Sequence, residues 1–272
     1  MPRKKPQLII THPGSAHFDD VTAVGLILAV YADKEFRIER REPSEDELDN
    51  PEIWIVDVGD RYEPEKRNFD HHQALGCPAS FILVSRYLGL EETLSVIPWW
   101  NFKDEEDRFG PVKASAKYGA GDDLINKNPM ETWLVDSFAE SPEAYLPLVK
   151  DYGGYVIKLA RLLKTQVDFW KSCPRVQIAG LTAIIGETRE SAGLEEFRRL
   201  VKDPPDIIVS LDRRDDGWRL FRYDGTSVDF TRIADRPEVS FAHKSGFLAK
   251  TKERLSVDKL IDLISEAVIN PK

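Results

Sequence analysis

Apolar and polar positions alternate in blocks along the first third of this chain of 272 residues. Gln7–Ile10 is a short apolar run that predicts a buried strand, and small and polar residues from Thr11 to Ala16 predict a loop after it. Val21–Tyr31 predicts a helix, with Val21, Val24 and Leu28 on one face and Asp19 or Asp20 as its N-cap. Further strands are predicted at Phe36–Glu39 and Ile53–Val56. A loop over Asp57–Gly76 then leads to a helix at Ala79–Leu88. Strands alternating with helices predict an α/β fold, with a parallel sheet covered by helices.

The pattern is weak between Leu90 and Trp133, apart from the charged cluster Lys103–Arg108. Pro142–Trp170 reads as helical. After Cys173-Pro174 the texture changes: Val176–Ile185 is apolar, Glu195–Val201 predicts a helix, and Asp206–Leu211 predicts a strand. Trp218–Tyr223 and Thr226–Ile233 flank Asp224-Gly225, which predicts a hairpin. Val257–Val268 predicts an amphipathic closing helix. The change near residues 170–175 divides the chain into expected domains at 1–172 and 173–272, with no internal repeat.

Composition narrows the class. A hydrophobic share of 42% can fill a core, which excludes global disorder. The longest mainly apolar run, Val21–Ala32, is shorter than the roughly 20 residues a membrane-spanning helix needs. Basic Arg3-Lys4-Lys5 precedes only Leu8-Ile9-Ile10, so neither an export signal nor a membrane partner is expected. Two cysteines, Cys77 and Cys173, make neither a disulfide framework nor a CxxC motif, and a cytoplasmic location is expected. The net charge of −9 argues against coating nucleic acid through bulk electrostatics. It fits carboxylates that hold divalent cations. Phosphate-cradling GxxxxGK[ST] and GxGxxG loops are both missing.

The five histidines carry the chemistry. Four of them, His12, His17, His71 and His72, fall in the first 72 residues, each beside aspartates. Thr11-His12-Pro13-Gly14-Ser15-Ala16-His17-Phe18-Asp19-Asp20 lies at the carboxyl end of the first strand, where open α/β sheets bind ligands. Two imidazoles and a carboxylate in that space suit Mn²⁺, Zn²⁺ or Fe²⁺. Asp57 follows Ile53–Val56 directly and faces the same crevice if the two strands adjoin. In Asn68-Phe69-Asp70-His71-His72-Gln73, one ring can bind metal and the next an anionic substrate, while Asp70 orients a ring nitrogen. Together these segments predict a dinuclear metal site. No Ser/His or Cys/His pair points to a side-chain nucleophile.

These segments resemble the DHH phosphoesterase superfamily, and within it the Myg branch (melanocyte proliferating gene-like, metal-dependent hydrolases). The likeness continues through Tyr62-Glu63-Pro64-Glu65-Lys66, Pro78-Ala79-Ser80-Phe81 and Tyr87-Leu88-Gly89. In the second domain it rests on Phe241-Ala242-His243-Lys244-Ser245-Gly246-Phe247 with Lys250-Thr251. The resemblance implies a parallel-sheet DHH-type catalytic domain and a smaller α/β DHH-associated domain, with the active site in the cleft between them. It implies His12, His17, Asp19, Asp57 and His71 as metal ligands, with Asp57 bridging two Mn²⁺ ions; Mg²⁺, Zn²⁺ or Fe²⁺ are the alternatives. The catalytic set is then Asp57, Asp70 and His72, with His72 facing phosphate. His243, Ser245 and Gly246 become substrate contacts. Most of the superfamily has aspartate at the position of His17, although the Myg branch uses histidine. The fourth aspartate motif appears only as Asp104-Glu105-Glu106-Asp107-Arg108-Phe109-Gly110, where Asp107 is favoured over Asp104. Leu248 and Ala249 stand where glycines normally follow Ser-Gly-Phe.

The expected activity is hydrolysis of phosphodiester bonds in short single-stranded RNA or DNA, or in small nucleotides, by water activated on the metal pair. A pyrophosphate or polyphosphate hydrolase and a non-catalytic nucleotide-binding protein are the alternatives; a homodimer is a further possibility. Lys244, Lys250, Lys252 and Arg254 suit a polyanion or a solvated face. Trp99, Trp100 and Trp218 suit core packing better than base stacking.

Overall fold

The computed structural model describes residues 5–119 and 128–269. They form two compact units, Met1–Arg161 and Leu162–Lys272. The first unit begins with β1 (Gln7–Thr11), α1 (Phe18–Val30), β2 (Phe36–Arg40), α2 (Glu45–Leu48) and β3 (Trp54–Val56). Two short strands follow, β4 (Tyr62–Glu63) and β5 (Asn68–Phe69). Helices α3 (Ser80–Tyr87), α4 (Glu91–Leu94), α5 (Trp100–Phe109), α6 (Pro111–Tyr118), α7 (Pro129–Glu140) and α8 (Pro142–Ser172) complete it, and α8 continues past Arg161. The weakly patterned stretch after Leu90 is therefore largely helical where it is described.

The sheet order is β2-β1-β3-β5-β4, parallel except for the β4–β5 pair. Central β1 and β3 are buried apart from Gln7, because apolar side chains cover both of their faces. The loop expected over Asp57–Gly76 contains β4 and β5, both too short to leave a periodic signal. Helix α1 starts earlier than its apolar pattern. His17 is the N-cap rather than Asp19 or Asp20, and Asp20, three residues in, accepts the His17 backbone N–H at 2.9 Å.

From Asp19 to Leu28 α1 is buried on every side, and its middle requires a glycine. A Cβ on Gly25 would meet the Val149 carbonyl oxygen at 2.9 Å, and one on Gly153 would meet the Gly25 carbonyl oxygen at 2.0 Å. The two glycines let α1 and α8 cross backbone to backbone. At the first turn of α8, Glu143 accepts the Ile38 N–H of edge strand β2 at 2.8 Å, satisfying a donor the sheet leaves open.

The second unit holds β6 (Arg175–Ile178), β7 (Leu181–Gly186), α9 (Leu194–Leu200), β8 (Ile207–Leu211), β9 (Trp218–Arg222), β10 (Val239–Ala242), β11 (Leu248–Thr251) and α10 (Val257–Ala267). Its sheet order is β10-β11-β9-β8-β7-β6, with only β7 and β8 parallel. Leu260, Leu263, Ile264 and Ala267 of α10 join Trp218, Leu220 and Ala249 in one core. Val167 and Trp170, from the end of α8, join Ile184, Phe197 and Ile208 in another. Ala179 and Gly180, both at positive φ, make the tight turn between β6 and β7.

The hairpin expected around Asp224-Gly225 does not form. β9 pairs with β8 on one edge and β11 on the other, so it has no free edge for residues 226–233. Those residues make a single bridge from Val228 to Val268 and a 3-10 turn at Phe230–Ile233, capped by Asp229. No described helix is long and apolar enough to cross a membrane.

Substituting Gly153→Ala is expected to destabilise the protein by about 1–3 kcal/mol, the usual range for forced overpacking. Gly154→Ala is the control, since a Cβ there meets nothing within 4 Å. Thermal and urea denaturation of both variants check this, and equal stabilities would contradict the tight crossing.

Candidate metal centre

Strand register builds the site. Thr11 pairs with Arg40 of β2 and Val56 of β3, and Val56 pairs with Phe69 of β5. These four residues form a row across the carboxyl ends of the strands. The residues that follow, His12, Asp57 and Asp70, leave the sheet together. His12 Nε2 lies 3.6 Å from Asp57 Oδ2, and the Asp57 N–H donates to the Phe69 carbonyl at 3.0 Å.

Asp57 takes a positive φ of 59°, which L residues other than Asn and Asp rarely adopt. Gly59 follows at 94°, where a Cβ would also strike Leu48 at 2.8 Å. This sharp exit leaves the two Asp57 oxygens in different company. Oδ2 faces His12, while Oδ1 lies 3.3 Å from His71 Nε2 and accepts the Ser80 hydroxyl at 3.2 Å.

Asp19, in the first turn of α1, is gripped by the amino end of α3. Its oxygens accept the Ser80 N–H at 2.8 Å and the Phe81 N–H at 2.5 Å, a favourable place for a carboxylate. His71 Nε2 stands 3.5 Å from Asp19 and 3.1 Å from Asp107 on α5. Asp104, earlier on the same helix, instead accepts the Ala79 N–H and pairs with Arg108. Asp70 accepts from the backbone N–H groups of His71 and His72 and lies 2.7 Å from His72 Nδ1, while its other oxygen accepts the Asp60 N–H. The His72 side chain is 55% exposed, so its remaining ring nitrogen is left for an incoming group.

Among the described residues, three sets of side chains can each bring ligand atoms within 4.8 Å of one another: His12, His17 and Asp57; Asp57, His71 and His72; and Asp19, His71 and Asp107. Asp57 and His71 each belong to two sets. The mixture of imidazole and carboxylate suits borderline divalent cations. Two buried atoms at the centre lack any hydrogen-bond partner, His12 Nε2 and Asp20 Oδ2, which lie 3.6 Å apart. Unpartnered buried polar atoms are costly, and a cation beside them would offset that cost. The residues present fit a divalent metal.

The electrostatics agree. Burial, reinforced by Asp57 and Asp107, pushes the Asp19 carboxyl well above the usual carboxylate range. Burial and Asp57 push Asp20 up to about 7. Burial opposes charge on His71, yet hydrogen bonds to Asp107 and Asp57 raise it to about 11. Burial likewise opposes charge on Asp70, but its bonds from His72 hold it below its ordinary value.

Asp20, Arg40 and Ser80 were not among the site residues expected from sequence. Arg40 Nη2 approaches Asp20 Oδ2 at 3.6 Å, and its guanidinium donates to the Gly14 and Ser15 carbonyls, fastening the loop that carries His12 and His17. The Asp19-Asp20 doublet and the polar end of an apolar strand were the available signals.

In the second unit, His243, Ser245 and Gly246 form the turn between β10 and β11. His243 Nδ1 accepts the Ser245 N–H at 3.1 Å, and the Gly246 N–H donates to the His243 carbonyl. Gly246 has a φ of 68°, and a Cβ there would fall 2.2 Å from Asp229 Oδ1. Two of the basic residues there are engaged: Lys250 pairs with buried Asp212, and Lys252 donates to the Pro237 carbonyl. Trp100 and Trp218 are buried in the cores, whereas Trp99 is half-buried.

Residues 8–76 match the model of the MYG1_exonuc family, an uncharacterised protein family (UPF0160). Over 69 residues the chain is 42% identical to the MYG1 protein of Chlamydia trachomatis serovar D. That match covers 25% of this chain and 23% of the relative, so it spans about a quarter of each. Among solved structures, the pGpG-specific phosphodiesterase PggH from Vibrio cholerae aligns over 97% of this chain and 100% of its own, at 10% identity and a TM-score of 0.29. RecJ from Thermus thermophilus in complex with Mg²⁺ aligns over 96% of this chain and 49% of its own, at 12% identity and a TM-score of 0.31. Structural likeness at these scores carries no inference about activity.

The raised Asp20 value has a definite sign. A carboxyl whose pKa is higher folded than unfolded costs stability as pH rises from about 4 to about 7, and the cost stays above that. In metal-free protein, Asp20→Asn should therefore raise the melting temperature at pH 8 and have little effect below pH 4. Mn²⁺ should raise the wild-type melting temperature at pH 8, reversibly with EDTA. Differential scanning calorimetry across pH checks both, and a wild-type midpoint indifferent to metal would contradict the cation fit.

Proposed function

We propose that this chain, whose residues 8–76 match the MYG1_exonuc family model, is a metal-dependent phosphoesterase of the DHH type. Its substrates are phosphodiester bonds in short single-stranded nucleic acid or in small nucleotides. The observation that supports this best is Asp57, whose two buried oxygens each face a different group of ligands. A carboxylate in that position suits a pair of cations, and manganese is the proposed metal.

His12, His17, Asp19, Asp57, His71 and Asp107 would hold two divalent cations. Bound there, the pair would lower the pKa of a water and polarise a phosphoryl oxygen. The chain's own residues supply the rest. Asp70 fixes the His72 ring through Nδ1, which leaves Nε2 of that exposed ring as the nitrogen that would meet a nonbridging phosphate oxygen. Ser80 and the amino end of α3 hold Asp57 and Asp19 in place, so the carboxylates need not reorganise during the reaction. Arg40 tethers the histidine loop. Contacts from His243, Ser245 and Gly246 to substrate belong to this reading, as do a cytoplasmic setting and a homodimer.

The purified protein is expected to bind about two divalent ions per chain. Asp57→Asn should lower turnover by about a hundredfold or more, because a neutral amide bridges cations poorly. His72→Ala should keep its metal and lose mainly kcat. Metal analysis after dialysis against Mn²⁺ and a hydrolysis screen check these outcomes, with labelled oligonucleotides, dinucleotides and pyrophosphate as substrates. Release of 5′-mononucleotides supports the reading. Orthophosphate from pyrophosphate alone, or near wild-type turnover by Asp57→Asn, would overturn it.

A further inference from the structure

Beside the metal centre lies a second cleft of about 610 Å³, within the range of small-molecule sites and walled by aromatic side chains. Phe18, Trp99, Trp133 and Tyr155 line it, from α1, the turn before α5, α7 and α8. Phe18 immediately precedes Asp19, and both Phe18 and Lys103 also line the neighbouring cleft that contains His17, Asp19 and Asp107. The aromatic pocket therefore begins one residue from a proposed metal ligand.

Two features set this surface apart from ordinary core. Trp133 is 47% exposed and Tyr155 62% exposed, an unusual amount of open aromatic area. Phe18 and Trp99 meet edge to face at 5.4 Å, which fixes both rings in the wall of the cleft. Polar groups gather at the end shared with the metal centre, where Lys103 bonds to Glu106 and Glu131. Glu131 also lines the aromatic cleft, where its carboxylate can accept a hydrogen bond from an amino group. A ligand anchored by phosphate at the cations would thus lay an uncharged, flat, donor-bearing group in the aromatic cleft.

We infer that the pocket formed by Phe18, Trp99, Trp133 and Tyr155 holds the nucleobase of the nucleotide whose phosphate is at the metal centre. This rests on the phosphoesterase reading and adds the recognised part of the substrate. Selectivity then comes from stacking and from acceptors at Glu131, and a baseless phosphodiester is a poor substrate even with the metal site intact.

The test titrates 2-aminopurine riboside 5′-monophosphate into the full-length, Mn²⁺-loaded protein and follows its fluorescence. Saturable quenching is expected, with Kd raised about tenfold in Trp133→Ala and in Tyr155→Ala, as loss of base stacking predicts. Metal content should be unchanged, and ribose 5-phosphate should compete weakly. Equal Kd values in wild type and both variants, absence of saturable binding, or equally strong competition by ribose 5-phosphate would overturn the inference. Dinucleotide hydrolysis measured in parallel separates the two readings. Binding without hydrolysis removes the phosphoesterase reading and leaves the base pocket. Hydrolysis unaffected by either substitution, with unaltered Kd, removes the pocket alone.

Discussion

The parallel register of β2, β1, β3 and β5 is the constraint on which the rest of the metal centre depends. It fixes Arg40, Thr11, Val56 and Phe69 in one row, so the chain leaves three strands at the same height as His12, Asp57 and Asp70. A one-residue slip of β3 would exchange the faces on which Trp54, Ile55 and Val56 pack and carry Asp57 away from His12. Burial of Trp54, Ile55 and Val56 opposes that slip. The hydrophobic core thus sets the position of charged groups that by themselves would move apart.

Those groups are kept together against their mutual repulsion. Asp19, Asp57 and Asp107 surround His71, and Asp20 lies against His12 with one oxygen lacking a hydrogen bond. The fold offsets part of this strain with the amino end of α3, the Ser80 hydroxyl and Arg40. The raised Asp19 and Asp20 values show that part of it is left. Without cations the cheapest relief is protonation, which divalent ions would make unnecessary. Keeping so many acids buried therefore has a physical rationale in metal binding that packing does not supply.

Much of this arrangement was legible in the sequence, because strand ends carry their chemistry in short runs. Ile53–Val56 followed by Asp57 announces both a buried strand and what its carboxyl end presents, whereas Asp70-His71-His72 announced its chemistry without the two-residue strand before it. Contacts from distant segments were not legible in the same way. Asp107 differs from Asp104 only by less than one helical turn, and the pairing of Asp104 with Ala79 and Arg108 decides which of them turns toward His71. The false hairpin at Asp224-Gly225 has a similar origin. Turn chemistry is local, but whether a strand has a free edge depends on partners as distant as Leu248–Thr251.

Asp20 shows why a residue can be read correctly as local structure and still be missed as part of a site. One oxygen closes the first turn of α1 through the His17 and Val21 N–H groups, which accounts for a carboxylate at that position. The other lies between His12 and Arg40, 3.6 Å from each, without a hydrogen bond. Helix capping explains only half of the side chain. The Gly246 turn is comparable, since its left-handed φ and contact with Asp229 explain the glycine whether or not a ligand reaches His243. In both places structural necessity and chemistry act on the same residues. Substitutions there are best compared by metal content and binding as well as by stability, because loss of fold and loss of site would otherwise look alike.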